Sequence, residues 1–176
     1  MRYKQDFVTN SSSTCFFFLF RGGKQGFFDA LANHAEEFNL SHDHWDDELV
    51  TINVGHIVRE LEPLLESKEI NIIPIESLIN DFRERIYNYQ QYMDESEKEG
   101  RYSLNDLYQE SIDAMSKMLH KTVSAAKSGL THSLVVGFGD NDGEVSGRGV
   151  GTIMDYEGRD LNIDDHDLVI MTEQNR

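Results

Sequence analysis

Asp6-Phe7-Val8-Thr9-Asn10-Ser11-Ser12-Ser13-Thr14-Cys15-Phe16-Phe17-Phe18-Leu19-Phe20 passes within one residue from a hydroxyl-rich run into an unbroken apolar one. A half-solvated strand would alternate apolar and polar side chains, and Cys15 to Phe20 does not. A short aromatic run closed by Arg21-Gly22-Gly23 fits a strand covered on both faces. It is far below the roughly 20 apolar residues that span a bilayer. Arg2 and Lys4 precede it as in a secretory signal, but Asp6 and the hydroxyl residues intervene. The apolar run also falls short of the roughly 7–15 residues of a signal core, and no small-x-small cleavage site follows. The reading is a core strand that the rest of the chain is built to bury.

The same residues carry a resemblance. Asp6 to Phe16 resembles the opening shared by many short bacterial and phage proteins, approximately Asp-Phe-Val-Thr-Asn-Ser-Ser-Ser-Ser-Ser-Phe. Thr14 and Cys15 stand where that pattern has serines. The closing stretch from Asp167 to Arg176 is similar to the ends of such proteins. No activity is attached to this family, so the resemblance implies no catalytic residue. A lone core cysteine, Cys15, points to the cytoplasm of a bacterium or of a phage-infected cell.

The chain has 176 residues, enough for one domain with a real core. Its 32 acidic residues against 16 basic ones give a net charge of −16. Nucleic-acid backbones and anionic membranes both attract clustered Lys and Arg, so this balance disfavours them and favours a basic protein as partner. Cys15 is the single cysteine, which excludes an intrachain disulfide and a cysteine-only zinc site. Inside an apolar strand it reads as an inert core thiol.

Periodicity organises the middle of the chain. Phe27, Phe28, Leu31, Ala35 and Phe38 give an apolar face to a helix over 24–38. The acidic stretch from Asn39 to Glu48 reads as a loop, and Leu49 to Asn53 as a short strand. A second helix over 55–67 turns Ile57, Val58, Leu61, Leu64 and Leu65 inward, and Pro63 is expected to kink or restart it. After the short apolar run Ile70–Ile73, a third helix from Ile75 carries Leu78, Ile79, Phe82, Ile86 and Tyr89, ending in the charged turn 94–100. The fourth is expected to start at Ser103, capped by its hydroxyl with Asp106 three residues on. Its stripe runs Leu104, Leu107, Tyr108, Ile112, Met115, Met118, Leu119, Thr122, Val123 and Ala126, and Gly129 stops it. Ser133 to Phe138 reads as a strand, Asn141-Asp142-Gly143 as a tight turn, 145–154 as an irregular strand and Leu168 to Met171 as another. The expectation is a single α+β domain over 1–176: a strand at 14–20, mainly helix over 24–128 and strands over 132–172, with the terminal strands in one sheet under three or four helices.

Several clusters bear on chemistry. His42-Asp43-His44-Trp45-Asp46-Asp47 offers imidazole and carboxylate ligands, with His42, His44 and Asp46 suited to zinc or manganese in a hydrolase. The spacing resembles the metallo-β-lactamase motif, but Asp47 stands where that motif has a histidine. Phe38-Asn39-Leu40-Ser41 also reads as too broken for a leading strand. His34, His56, His120 and His132 have no spacing that marks them as further ligands. Gly137 to Gly143 does not make a calcium loop, since Phe138 would occupy the first ligand position. Gly147-Arg148-Gly149-Val150-Gly151 lacks the lysine of a phosphate loop. Ser11, Ser12 and Ser13, with Arg148, can offer amides, hydroxyls and a guanidinium to a small anion. Asp155, Glu157, Asp160, Asp164, Asp165 and Asp167 form an acidic run suited to a basic partner.

No complete catalytic constellation emerges. The favoured expectation is a non-enzymatic acidic protein that binds a basic macromolecule without a cofactor, in the manner of a phage-encoded modulator of a host nucleic-acid-binding protein. The alternatives are a metal-dependent hydrolase on the His42/His44/Asp46 loop and a binder of small anions.

Overall fold

The computed structural model describes residues 13–38, 40–43, 49–139 and 163–175. The apolar run forms β1 (Ser13–Phe20), one of the two inner strands of a four-stranded antiparallel sheet. It is flanked by β5 (His132–Gly139) on one side and β6 (Leu168–Asn175) on the other, and β4 (Ile72–Pro74) pairs with β5 at one edge. Phe17 lies opposite both Val135 and Met171, and Phe18 opposite Leu134 and Ile170. Cross-strand neighbours therefore share a face, and each face is a stripe of apolar side chains three strands wide.

Both faces are roofed, which is why the run has no polar alternation. Phe16, Phe18 and Phe20 join Leu134, Val136, Leu168 and Ile170 beneath α1 (Gly23–Asn33) and α2 (Val54–Ser67). Phe27, Ala30, Leu31, Phe38, Ile57 and Leu61 supply that layer. Cys15, Phe17, Leu19, Val169 and Met171 face the opposite way, against α3 (Ile75–Lys98) and α4 (Asn105–Lys127). The architecture is α+β, with the N- and C-terminal strands side by side.

Local rules explain where the elements stop and where the sequence expectations need correcting. The first helix ends at Asn33 rather than near Phe38, and the chain turns at His34, yet Phe38 still reaches the core. Gly26 begins its climb: a Cβ there would lie 1.7 Å from the Arg21 carbonyl oxygen, so only glycine fits. The 39–48 stretch is not wholly a loop. Residues 40–43 form β2 (Leu40–Asp43), which pairs with β3 (Leu49–Ile52) in a separate two-stranded sheet. Backbone pairing thus overrides a sequence that looks too broken for a strand. Helix α2 continues through Pro63 because both Pro63 and Arg59, whose carbonyl loses its donor, are exposed to water.

Helix α3 continues through Asp94 to Lys98, since Glu and Lys are good helix formers and α4 packs alongside. The fourth helix starts at Asn105, after a 3-10 turn over Tyr102–Leu104, and Leu104 caps it without any side-chain hydrogen bond. Ser103 is therefore not its cap; Asp106 lies in the first turn, where a carboxylate favours the helix N-terminus. Gly129 has φ of 100° and terminates the helix as expected. The strand expected at Leu168 to Met171 runs on to Asn175. The Asn141-Asp142-Gly143 turn and the 145–154 strand lie outside the described residues.

Candidate functional site

The segment that leads into β6 gathers most of the polar chemistry. Ile163 is buried against α1 and α2, and its carbonyl accepts from the Ile170 amide at 2.8 Å. The Asp165 amide donates to the Leu168 carbonyl at 2.9 Å, closing a tight turn over Asp165 to Asp167. That turn meets the end of α1, and their meeting point is His34.

His34 is only 7% exposed, and both its ring nitrogens face carboxylates. Nε2 lies 2.8 Å from Asp167 Oδ1 and 3.8 Å from Asp165 Oδ2, while Nδ1 lies 3.4 Å from Glu37 Oε1. Asn33 donates its side-chain amide to the second oxygen of Asp167 at 2.8 Å. Burial opposes charge on the imidazole, but the hydrogen bonds to Asp167 and Glu37 outweigh it, and the His34 pKa is raised. Burial likewise pushes the Asp167 carboxyl upward, yet the Asn33 and His34 contacts prevail and hold it below its usual value. Asp165 is half exposed; hydrogen bonds from the His166 ring and amide lower its pKa. The His34, Asp165 and Asp167 ligand atoms all lie within 4.8 Å of one another.

Beyond Asp165 the turn borders a cleft of about 280 Å³ against α4, lined by Lys121, Ser124, Ser128, Asp164 and His166 among others. Lys121 Nζ lies 3.3 Å from Asp164 Oδ2 across it. Asp164 and Asp165, expected in an acidic surface, are exposed while pairing with Lys121 and His166, and Asp167 is half-buried against His34. Asp155, Glu157 and Asp160 lie outside the described residues.

A second polar pair marks the other face of the sheet. Glu173 stands opposite Cys15 in the register, and Arg85 of α3 reaches it at 2.8 Å. Burial, with the Glu173 charge beside it, pushes the Cys15 thiol up to about 11. A thiol held protonated in this way is a core group, not a nucleophile.

The third feature is the end of the α3–α4 hairpin remote from the sheet. Tyr89, Tyr92 and Tyr108 form a ring cluster with centroids 6.1–6.5 Å apart. Tyr92 is exposed, and so are Tyr87, Tyr102, Leu104 and Leu107. The 3-10 turn bearing Tyr102 and Leu104 touches both helices. Exposed around them are Asp94, Glu95, Glu97, Glu99, Asp106 and Glu110, against Lys98 and Arg101. Arg101 is itself paired with Glu99.

Most of the residues singled out in the sequence fall elsewhere. His42 sits in β2 opposite Val50, while His44 and Asp46 lie outside the described residues. Ser13 starts β1 opposite Gly139 and Asn175; Ser11, Ser12 and Arg148 lie outside the described residues. His56 closes a capping box with Asn53, and His132 stacks on Phe20, so both have local structural partners. Sequence reasoning passed over His34 as a ligand. The only local signal was Glu37 one helical turn beyond it.

No family model matches the chain, and no curated protein or solved structure matches it.

Proposed function

We propose that the protein acts by binding a basic macromolecular partner and that the far end of the α3–α4 hairpin is its contact surface. The observation that carries this reading is a set of apolar side chains left in water beside acidic ones: Tyr102 is 66% exposed and Leu107 58%, and Tyr92, also exposed, rests on Tyr89 and Tyr108. Four large apolar side chains, Tyr92, Tyr102, Leu104 and Leu107, exposed toward one end of a hairpin are unusual, because burial of each would yield about 1.5–3 kcal/mol. Tyrosine and leucine anchors inside a charged rim are what a protein interface needs. Six carboxylates over 94–110 against two cations favour a Lys/Arg-bearing partner, whose charges also find tyrosine faces. The same charge repels nucleic acid, so the partner is a protein, and a nucleic-acid-binding protein has the required surface. No helix among the described residues is long and apolar enough to cross a membrane.

The test is affinity capture from a cell extract in about 50 mM salt, followed by elution toward about 500 mM, a range that collapses screening lengths below 10 Å. The expected result is one dominant basic protein, released steeply as salt rises. A Tyr92→Ser/Tyr102→Ser/Leu107→Ser variant, with unchanged melting temperature, is expected to lose it. Capture that ignores salt, or that survives the triple substitution, rules the surface out.

A further inference from the structure

Independently of that surface, we propose that His34, Asp165 and Asp167 form a site for a divalent first-row cation, with Zn2+ held more tightly than Mn2+. The donor set is one imidazole nitrogen and two carboxylate oxygens converging from separate elements, the end of α1 and the turn before β6. Ligands about 2.0–2.2 Å from a common ion lie roughly 2.8–3.5 Å from each other. The His34–Asp167 separation of 2.8 Å, a hydrogen bond in the metal-free chain, is within that range. The ion takes the place of the Nε2 proton, which is released to solvent. The His34–Asp165 separation of 3.8 Å needs only a small swing of a half-exposed side chain.

The surroundings are those of a metal centre rather than of a surface acidic cluster. Glu37 faces the far ring nitrogen of His34 and orients the imidazole so that Nε2 points at both aspartates. Asn33 holds the Asp167 oxygen that does not face His34, and His166 holds the corresponding oxygen of Asp165. Each proposed ligand therefore has an outer partner. An imidazole with two carboxylates is too poor in oxygen for Ca2+, which takes 6–8 oxygens, and suits Zn2+ ahead of Mn2+ in the usual affinity order. Asp165 opens onto the cleft that Lys121, Ser124 and Ser128 line, so water or a small anion has access to the remaining coordination positions.

Titration of the metal-free full chain with ZnCl2, followed calorimetrically, tests the site. One ion per chain is expected, with a rise in melting temperature and weaker binding of MnCl2. Asp165→Asn removes a ligand without disturbing the core, and a loss of at least about tenfold in affinity is expected. His34→Gln is expected to abolish binding, and X-ray absorption of the zinc form to show nitrogen and oxygen ligands without sulfur. A His42→Ala/His44→Ala variant is expected to bind as the parent does. Three results overturn the assignment: no saturable binding up to about 1 mM, the affinity at which a site contributes only some 4 kcal/mol; unchanged affinity in Asp165→Asn; or affinity that disappears with the His42/His44 pair instead.

Discussion

The two faces of the sheet are built from one strand but in different ways. On one side Phe16, Phe18 and Phe20 meet Phe27 and Phe38 beneath two short helices, a core that is almost entirely aromatic and aliphatic. Phe18 and Phe27 meet edge to face at 5.4 Å, and Phe20 and Phe27 lie tilted at 5.0 Å. Its polar groups sit at the margin, where His34 and Asp167 tie the end of α1 to the start of β6. On the other side Cys15, Phe17 and Leu19 meet Ile75, Leu78, Phe82, methionines and alanines, and polar groups intrude among them: the Arg85–Glu173 pair beside Cys15, and Ser133, whose buried hydroxyl has no hydrogen-bond partner among the described residues. The first face keeps its polar groups at the margin; the second carries them among its apolar side chains.

Helix length sharpens the contrast. α3 has 24 residues and is about 36 Å long, whereas the 8 residues of β1 span only about 27 Å. The buried apolar positions of α3, Ile75, Leu78, Ile79 and Phe82, all fall in its first eight residues. Ile86 and Tyr89 still pack on the edge of the core, and the turns beyond them lie mainly on α4, where Tyr92 faces water. The second face thus supports a projecting hairpin, while the polar corner at His34 sits at the margin of the sheet, between the end of α1 and the cleft against α4.

The largest expected effect breaks the sealed face. Phe18→Ala empties a fully buried site against Phe27 and should cost about 3–5 kcal/mol in urea denaturation. A cost below about 1 kcal/mol would mean that this face repacks freely and the contrast is false.

A smaller effect reads the polar face through pH. The Cys15 thiol has a folded pKa of about 11 against an ordinary 9.0, so the unfolded chain loses this proton first. The associated stability is complete below about pH 9 and declines as pH rises toward 11, by roughly 3 kcal/mol in all. Wild-type protein should therefore lose stability more steeply than Cys15→Ala between about pH 8 and pH 10.5. Parallel profiles would mean that the thiol ionises normally and that the strand is open to solvent there.

The smallest effect concerns Ser133. Removing a fully buried hydroxyl that has no partner among the described residues removes a desolvation cost, so Ser133→Ala should be neutral or stabilising by about 1 kcal/mol. A clear loss on denaturation would reveal a partner for that hydroxyl and a better-sealed second face.

How much of this was legible in the chain depends on the range of the interaction. The unbroken Cys15–Phe20 run announced a strand covered twice, and the spacing of Leu78, Ile79, Phe82 and Ile86 announced the inward stripe of α3. The apolar spacing of Leu104 and Leu107 gave the wrong expectation: the stripe continues in sequence, but the sheet it would rest on has ended. β2 was hidden because Leu40 to Asp43 has no strand pattern of its own and takes its conformation from pairing with β3. The His34 corner was hidden more deeply, since His34 and Asp167 are 133 positions apart and neither belongs to a motif.

The sequence by itself determined which segments are buried and which faces of the helices turn inward, because those properties follow from the 3.6- and 2-residue periods of local backbone geometry. Only the tertiary structure decided which carboxylates of an acidic chain meet a histidine or a guanidinium and which remain in water. That choice depends on where the strand order and the helix lengths carry each side chain, and no local period records it.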